Sequence, residues 1–147
     1  MKKPPIDRMR YNRKNGPACK FIIPLKPKST QSESKEKYKM EIHERALKAM
    51  NYNSLILTDD IEVEIAWRSV EVDHAVADID NIIKPILDAM NGAVYKDDKQ
   101  IRSLLVLRIP KGNRAEMSGY AEDFLEILEN VDTDSVQIAI YSDSQSH

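Results

Sequence analysis

Asp78-Ile79-Asp80-Asn81-Ile82-Ile83-Lys84-Pro85-Ile86-Leu87-Asp88-Ala89-Met90-Asn91-Gly92, followed at once by Ala93-Val94-Tyr95-Lys96-Asp97-Asp98-Lys99-Gln100-Ile101, is the stretch on which the fold of this chain turns. Ile79, Ile82, Ile83, Ile86, Leu87 and Met90 recur at steps of three and four, the spacing of a helix with one apolar stripe. Asp80, Lys84 and Asp88 stand four apart and therefore line one flank of that helix. Asn91-Gly92 is a stop signal, because glycine takes the left-handed backbone after a helix without strain. Pro85 removes a backbone donor and turns Lys84 away from helical angles, so the helix is expected to start late or to kink there.

The same stretch carries two acidic groups, one at Asp78 and Asp80 and one at Asp97-Asp98, which opens a strand. Mg²⁺ is held by a few carboxylates, with water and substrate phosphate completing its octahedron, so two acidic groups joined by one helical excursion suit such a cation. The ordinary alternative is that Asp78 or Asp80 caps the helix and Asp97-Asp98 makes a turn. Spacing by itself leaves both open.

Upstream of this stretch, residues 60–72 alternate most cleanly. Ile61, Val63, Ile65, Trp67 and Ser69 point one way, against Glu62, Glu64, Ala66 and Arg68, which predicts a strand with one core face and one wet or partly covered face. Earlier still, Cys19 to Pro24 reads as a first strand ended by proline. A helix follows from Ser32 or Ser34 to about Met50, with Tyr38, Ile42, Ala46 or Leu47, and Met50 inward. His43 on that helix has no partner at metal-ligand spacing and reads as a surface histidine, and His74 as an exposed loop histidine.

Downstream, Ile101 to Ile109 reads as a largely buried strand, Tyr120 to Val131 as an amphipathic helix, and Ser135 to Tyr141 as a last alternating strand. The order β-α-β-α-β-α-β implies a single α/β (α+β) domain with a mixed sheet of about four strands flanked by helices. It would run from residue 18 to 147, behind a basic arm over residues 1–17.

With 147 residues, 41% of them apolar and 31% charged, the chain can bury a core without disulfides and does not have a disordered composition. Cys19 is its one cysteine, so no internal disulfide forms and a reducing cytoplasm is the expected compartment. No apolar run reaches a membrane-spanning length, and the N-terminus does not read as a secretory signal. The net charge of −2 conceals a strong asymmetry. Residues 1–29 hold nine Lys/Arg against Asp7 alone, whereas residues 116–147 hold eight acids and no Lys or Arg. A basic arm suits a polyanion such as DNA, or folds against the acidic end. Arg13, Lys14, Lys20, Lys26 and Lys28 are the candidate DNA contacts, and Tyr11 could stack on a base.

Asp78-x-Asp80-Asn81, Lys84, Asp88-Ala89-Met90-Asn91-Gly92 and Tyr95-x-Asp97-Asp98-x-Gln100-Ile101 together resemble the signature of the RusA family of Holliday junction resolvases. The early strand and Pro/Lys/Ser loop over Ile22 to Thr30 also resemble the opening of that family. The resemblance implies a dimeric endodeoxyribonuclease of phages and prophages that resolves four-way DNA junctions by paired nicks in recombination and repair. It carries the family's required residues onto Asp78, Asp80, Asp98 and Lys84, with Asp97 a further metal ligand and Asn81 a neighbouring DNA contact. Mg²⁺ (Mn²⁺ possible) is the implied cofactor, held by Asp78, Asp80, Asp97 and Asp98. A two-fold dimer would bring two sites to two equivalent strands. The chain departs from the family at Glu71, Asp73 and His74, where basic residues are usual. Two rival readings are a branched-DNA-binding protein that does not cut and a transferase that uses Asp-x-Asp to hold a nucleotide-sugar diphosphate.

Overall fold

Alternation over Ile61–Ser69 produces β2, the strand at the heart of the sheet, and its odd-numbered residues meet the helices. A computed structural model of the chain describes residues 16–25, 33–52, 56–69, 79–110 and 134–142. The elements are β1 (Cys19–Ile23), α1 (Lys35–Ala49), β2, α2 (Ile79–Met90), a 3-10 turn (Asp98–Gln100), β3 (Ile101–Pro110) and β4 (Ser135–Ser142). The expected helix at Tyr120 to Val131, most of the basic arm, and Lys26, Lys28, His74 and Asp78 lie outside the described residues.

The four strands form one sheet in the order β1-β4-β2-β3. β2 and β3 run parallel, the arrangement a crossover helix permits, and α2 lies between them in the chain. β4 runs antiparallel to both β1 and β2, which makes the sheet mixed, as the element order implied. One face carries Cys19, Phe21, Ile23, Ile61, Val63, Ile65, Trp67, Val136, Ile138 and Ile140 into a single cluster with the helices. α1 supplies Tyr38, Ile42 and Ala46 to that cluster, and α2 supplies Ile82, Ile86, Ala89 and Met90, at the three- and four-residue steps the sequence displays. Burial pushes the Cys19 thiol up to about 12, so it stays protonated and unreactive.

Three expectations are corrected. β2 is buried on both faces: Glu64 is 5% exposed, Ala66 5% and Arg68 2%, where one wet or partly covered face was expected. β3 is not largely buried; from Ile101 to Arg108 its residues are half-buried or exposed, as its place at one end of the strand order among the described residues dictates. α2 does not start late; it runs from Ile79 to Met90 with Pro85 buried inside it. The proline leaves the Asn81 carbonyl without its helical partner. Burial of the ring offsets that loss.

The helix stop is confirmed in detail. Gly92 has φ +82°, and its N–H donates to the Tyr95 carbonyl at 2.8 Å, closing a tight turn over Asn91–Tyr95. Ala93, Val94 and Tyr95 are fully buried there, and the Tyr95 hydroxyl donates to the Leu87 carbonyl at 2.7 Å. Tyr95→Phe keeps the ring and removes this bond, with an expected loss of about 1 kcal/mol in urea unfolding. No change in the midpoint would mean that water replaces the hydroxyl.

Candidate active site

The end of α2 and the entry to β3 face each other because the Gly92 turn reverses the chain and the Tyr95 hydroxyl ties that turn back to the helix. The acidic pair follows immediately. Asp97 caps the 3-10 turn, its Oδ1 accepting from the Lys99 N–H at 2.9 Å in a reciprocal box with Gln100. The alternative reading of Asp97 as a turn residue is therefore part of the truth. Asp98 begins the turn and is exposed.

The two carboxyls share a hydrogen bond and titrate apart. Asp97 is held below the usual carboxylate range, chiefly by the Lys99 N–H and then by the bond from Asp98. Asp98 is raised, first by its hydrogen bond to Asp97, then by loss of hydration and by the charges of Asp97 and Asp88, with Lys84 opposing. Asp98 thus senses Asp88 and Lys84, which lie on α2. Lys84 Nζ is 3.6 Å from Asp88 Oδ2, and the Lys84 side chain is 71% exposed, so its charge is available to a phosphate. Lys84 pairs forward along the helix, with Asp88, although Asp80 stands the same number of residues behind it. The Tyr95 phenol is pushed up by burial first and then by Asp98 and Asp88, so it remains a donor.

Asp80 and Asn81 occupy the first turn of α2 and are exposed. Among the described residues, no three His, Cys, Asp or Glu side chains close around a metal position. Asp78 lies outside the described residues. The donor chemistry nonetheless fits a hard cation, since exposed carboxylates stand close enough to raise Asp98, and the lysine charges acting on the pair (Lys84 on Asp98, Lys99 and Lys96 on Asp97) leave its oxygens open to solvent. Lys20 stands on β1, the strand at the opposite end of the sheet order from β3, and is partly buried. Arg13 and Lys14 lie outside the described residues.

Two supporting residues carried no assigned role in the sequence reading. Gln100 binds the acidic turn to the loop at Leu57–Asp59, and the Asp97-x-x-Gln100 capping box was its visible signal. His43 is not a surface residue without a partner: it is half-buried, with Nδ1 2.8 Å from the Ala89 carbonyl, and so joins α1 to the last turn of α2. No pattern within α1 foretells that bond.

A search of curated proteins finds no match to this chain. The family model described as Endodeoxyribonuclease RusA, in contrast, matches residues 3–118, a span that takes in β1 to β3 and every candidate acid. The chain belongs to the RusA endodeoxyribonuclease family, the Holliday junction resolvases.

Proposed function

We propose that the chain cuts four-way DNA junctions by paired symmetric nicks, as a homodimer that depends on Mg²⁺ or Mn²⁺. Family membership supports this, and the observation that carries it is that the charges of Asp88 and Lys84, themselves paired on α2 at 3.6 Å, act on Asp98 across the turn between α2 and β3. Asp78, Asp80 and Asp98 are the proposed ligands, with Asp97 adjoining. Once bound, the cation would activate water and neutralise charge at the scissile phosphate. Lys84 supplies a mobile positive charge to a phosphate oxygen, and its exposure leaves that role open. Asn81, exposed in the first turn of α2, is assigned a contact with the same strand.

Grip on the DNA is assigned to the basic arm and its neighbours, namely Arg13, Lys14, Lys20, Lys26 and Lys28. Affinity would then fall steeply with salt. No helix among the described residues is long and apolar enough to cross a membrane. The cytoplasm, where DNA is the substrate at hand, is the proposed compartment.

The test uses a labelled synthetic four-way junction with Mg²⁺, with wild type beside Asp80→Asn. Symmetric nicks by wild type that disappear in the variant support the reading. Tight junction binding without nicks in either Mg²⁺ or Mn²⁺ would reassign the chain as a binding protein that does not cut.

A further inference from the structure

The side-chain amide of Gln100 is used to capacity. Its Nε2 donates to the carbonyls of Leu57 and Asp59, each at 2.9 Å, and its Oε1 accepts from the N–H groups of Lys96 and Asp97, each at 2.9 Å. A primary amide offers two donor hydrogens and two acceptor sites, so no valence is left over. The two carbonyls belong to a loop 43 and 41 residues earlier in the chain. That loop is itself fastened to the turn after α2, where the Leu57 N–H donates to the Val94 carbonyl at 2.8 Å. One side chain therefore joins the loop before β2 to the backbone that carries Asp97 and Asp98.

The bonds fall at the residues where displacement would matter. Lys96 and Asp97 are exposed, and the 3-10 turn buries none of its residues, so apolar packing does not hold the turn in place. Hydrogen bonds hold it instead, and Gln100 supplies most of those that reach beyond the turn itself. A shift of the turn would carry the Asp98 carboxylate away from Asp88 and Lys84.

We infer that Gln100 is a positioning residue for the cation site: it sets the place of Asp98 relative to α2 and through it the affinity for the divalent cation. This rests on the nuclease reading above. Gln100→Ala removes all four bonds. Gln100→Glu keeps the size and the acceptor but sets a carboxylate oxygen against two carbonyl oxygens.

Both variants are compared with wild type in the full-length protein. The measurements are calorimetric titration with Mn²⁺ in the absence of DNA, junction binding in EDTA, thermal unfolding, and cleavage across a range of Mg²⁺. Both variants should bind Mn²⁺ roughly 10- to 100-fold more weakly, the usual cost of losing a group that orients a ligand. They should need correspondingly more Mg²⁺ to cut, while binding the junction in EDTA as wild type does. Wild-type Mn²⁺ affinity in the variants, with or without a lower melting temperature, overturns the inference and leaves Gln100 a structural clasp. If neither variant folds, amide exchange in wild type decides. Mg²⁺ should slow exchange at Lys96 and Asp97, whose N–H groups Gln100 holds, and unchanged exchange would refute the coupling. A wild type that neither binds metal nor cuts the junction removes the nuclease reading, and this inference with it.

Discussion

Asp98→Asn is expected to lower junction cleavage by about 10²- to 10³-fold, the scale on which losing one well-placed charged or polar partner of the transition state is felt. Asn keeps the volume and one oxygen, so the loss isolates the negative charge. Binding of the junction should be unchanged or slightly tighter, because removing an anion near a phosphate reduces repulsion. Stability should hold for the same reason: Asp98 stands beside Asp97 and Asp88, and like charges in one place oppose folding. Asp97→Asn makes the informative contrast. Asp97 spends an oxygen on the Lys99 N–H as a cap, and an asparagine oxygen can replace that acceptor. Its cleavage rate should therefore fall less than that of Asp98→Asn. Single-turnover rates on a labelled junction at saturating protein measure both. A larger loss for Asp97→Asn than for Asp98→Asn would reverse the two roles and make Asp97 the principal ligand.

Trp67→Ala should produce the largest loss of stability of any single change considered, about 3–5 kcal/mol, as for large aromatic residues in a close-packed core. Trp67 is fully buried on β2, and its Nε1 donates to Asp134 Oδ2 at 2.9 Å, itself buried at the start of β4. The guanidinium of Arg108 lies 5.2 Å from the ring centroid, so the indole also links β2 to β3. Alanine would leave a cavity, remove the donor to a buried carboxylate and strip the cation of its aromatic face. For a chain of this length the melting temperature should fall by roughly 10 °C. Trp67→Phe separates the terms: it keeps most of the ring and loses the N–H, with an expected loss of about 1–3 kcal/mol. Trp67 is the one tryptophan, so circular dichroism is the proper probe instead of fluorescence. Equal losses for the two variants would place the whole effect in the hydrogen bond to Asp134.

Both predictions depend on facts of different legibility. Asp98 was marked by its place in a compound motif, and Trp67 by strict alternation along β2. The face of α2 was equally plain, since Ile82, Ile86 and Met90 recur on a helical period and are all fully buried. The stop at Asn91-Gly92 could be read because it depends on the backbone freedom of one residue, and Gly92 does take a positive φ. The late start expected at Pro85 did not occur, because local rules count the lost N–H but cannot count the burial of the ring that the fold provides. The same limit hid the bond between His43 and the Ala89 carbonyl, whose partners lie 46 residues apart.

Sequence by itself determined the local part of this protein: β1, α1, β2, α2, β3 and β4, the apolar faces of the two helices, the helix stop, and the membership that the motif over residues 78–101 announced. These features depend on near neighbours along the chain, whose spacing is written in the order of residues. Only the tertiary structure decided that β2 is covered on both faces, that Lys84 pairs with Asp88, and that Gln100 clasps Leu57 and Asp59. Each of these couples side chains to groups brought near by folding or by a choice among helical neighbours, and periodicity cannot specify which partner is met.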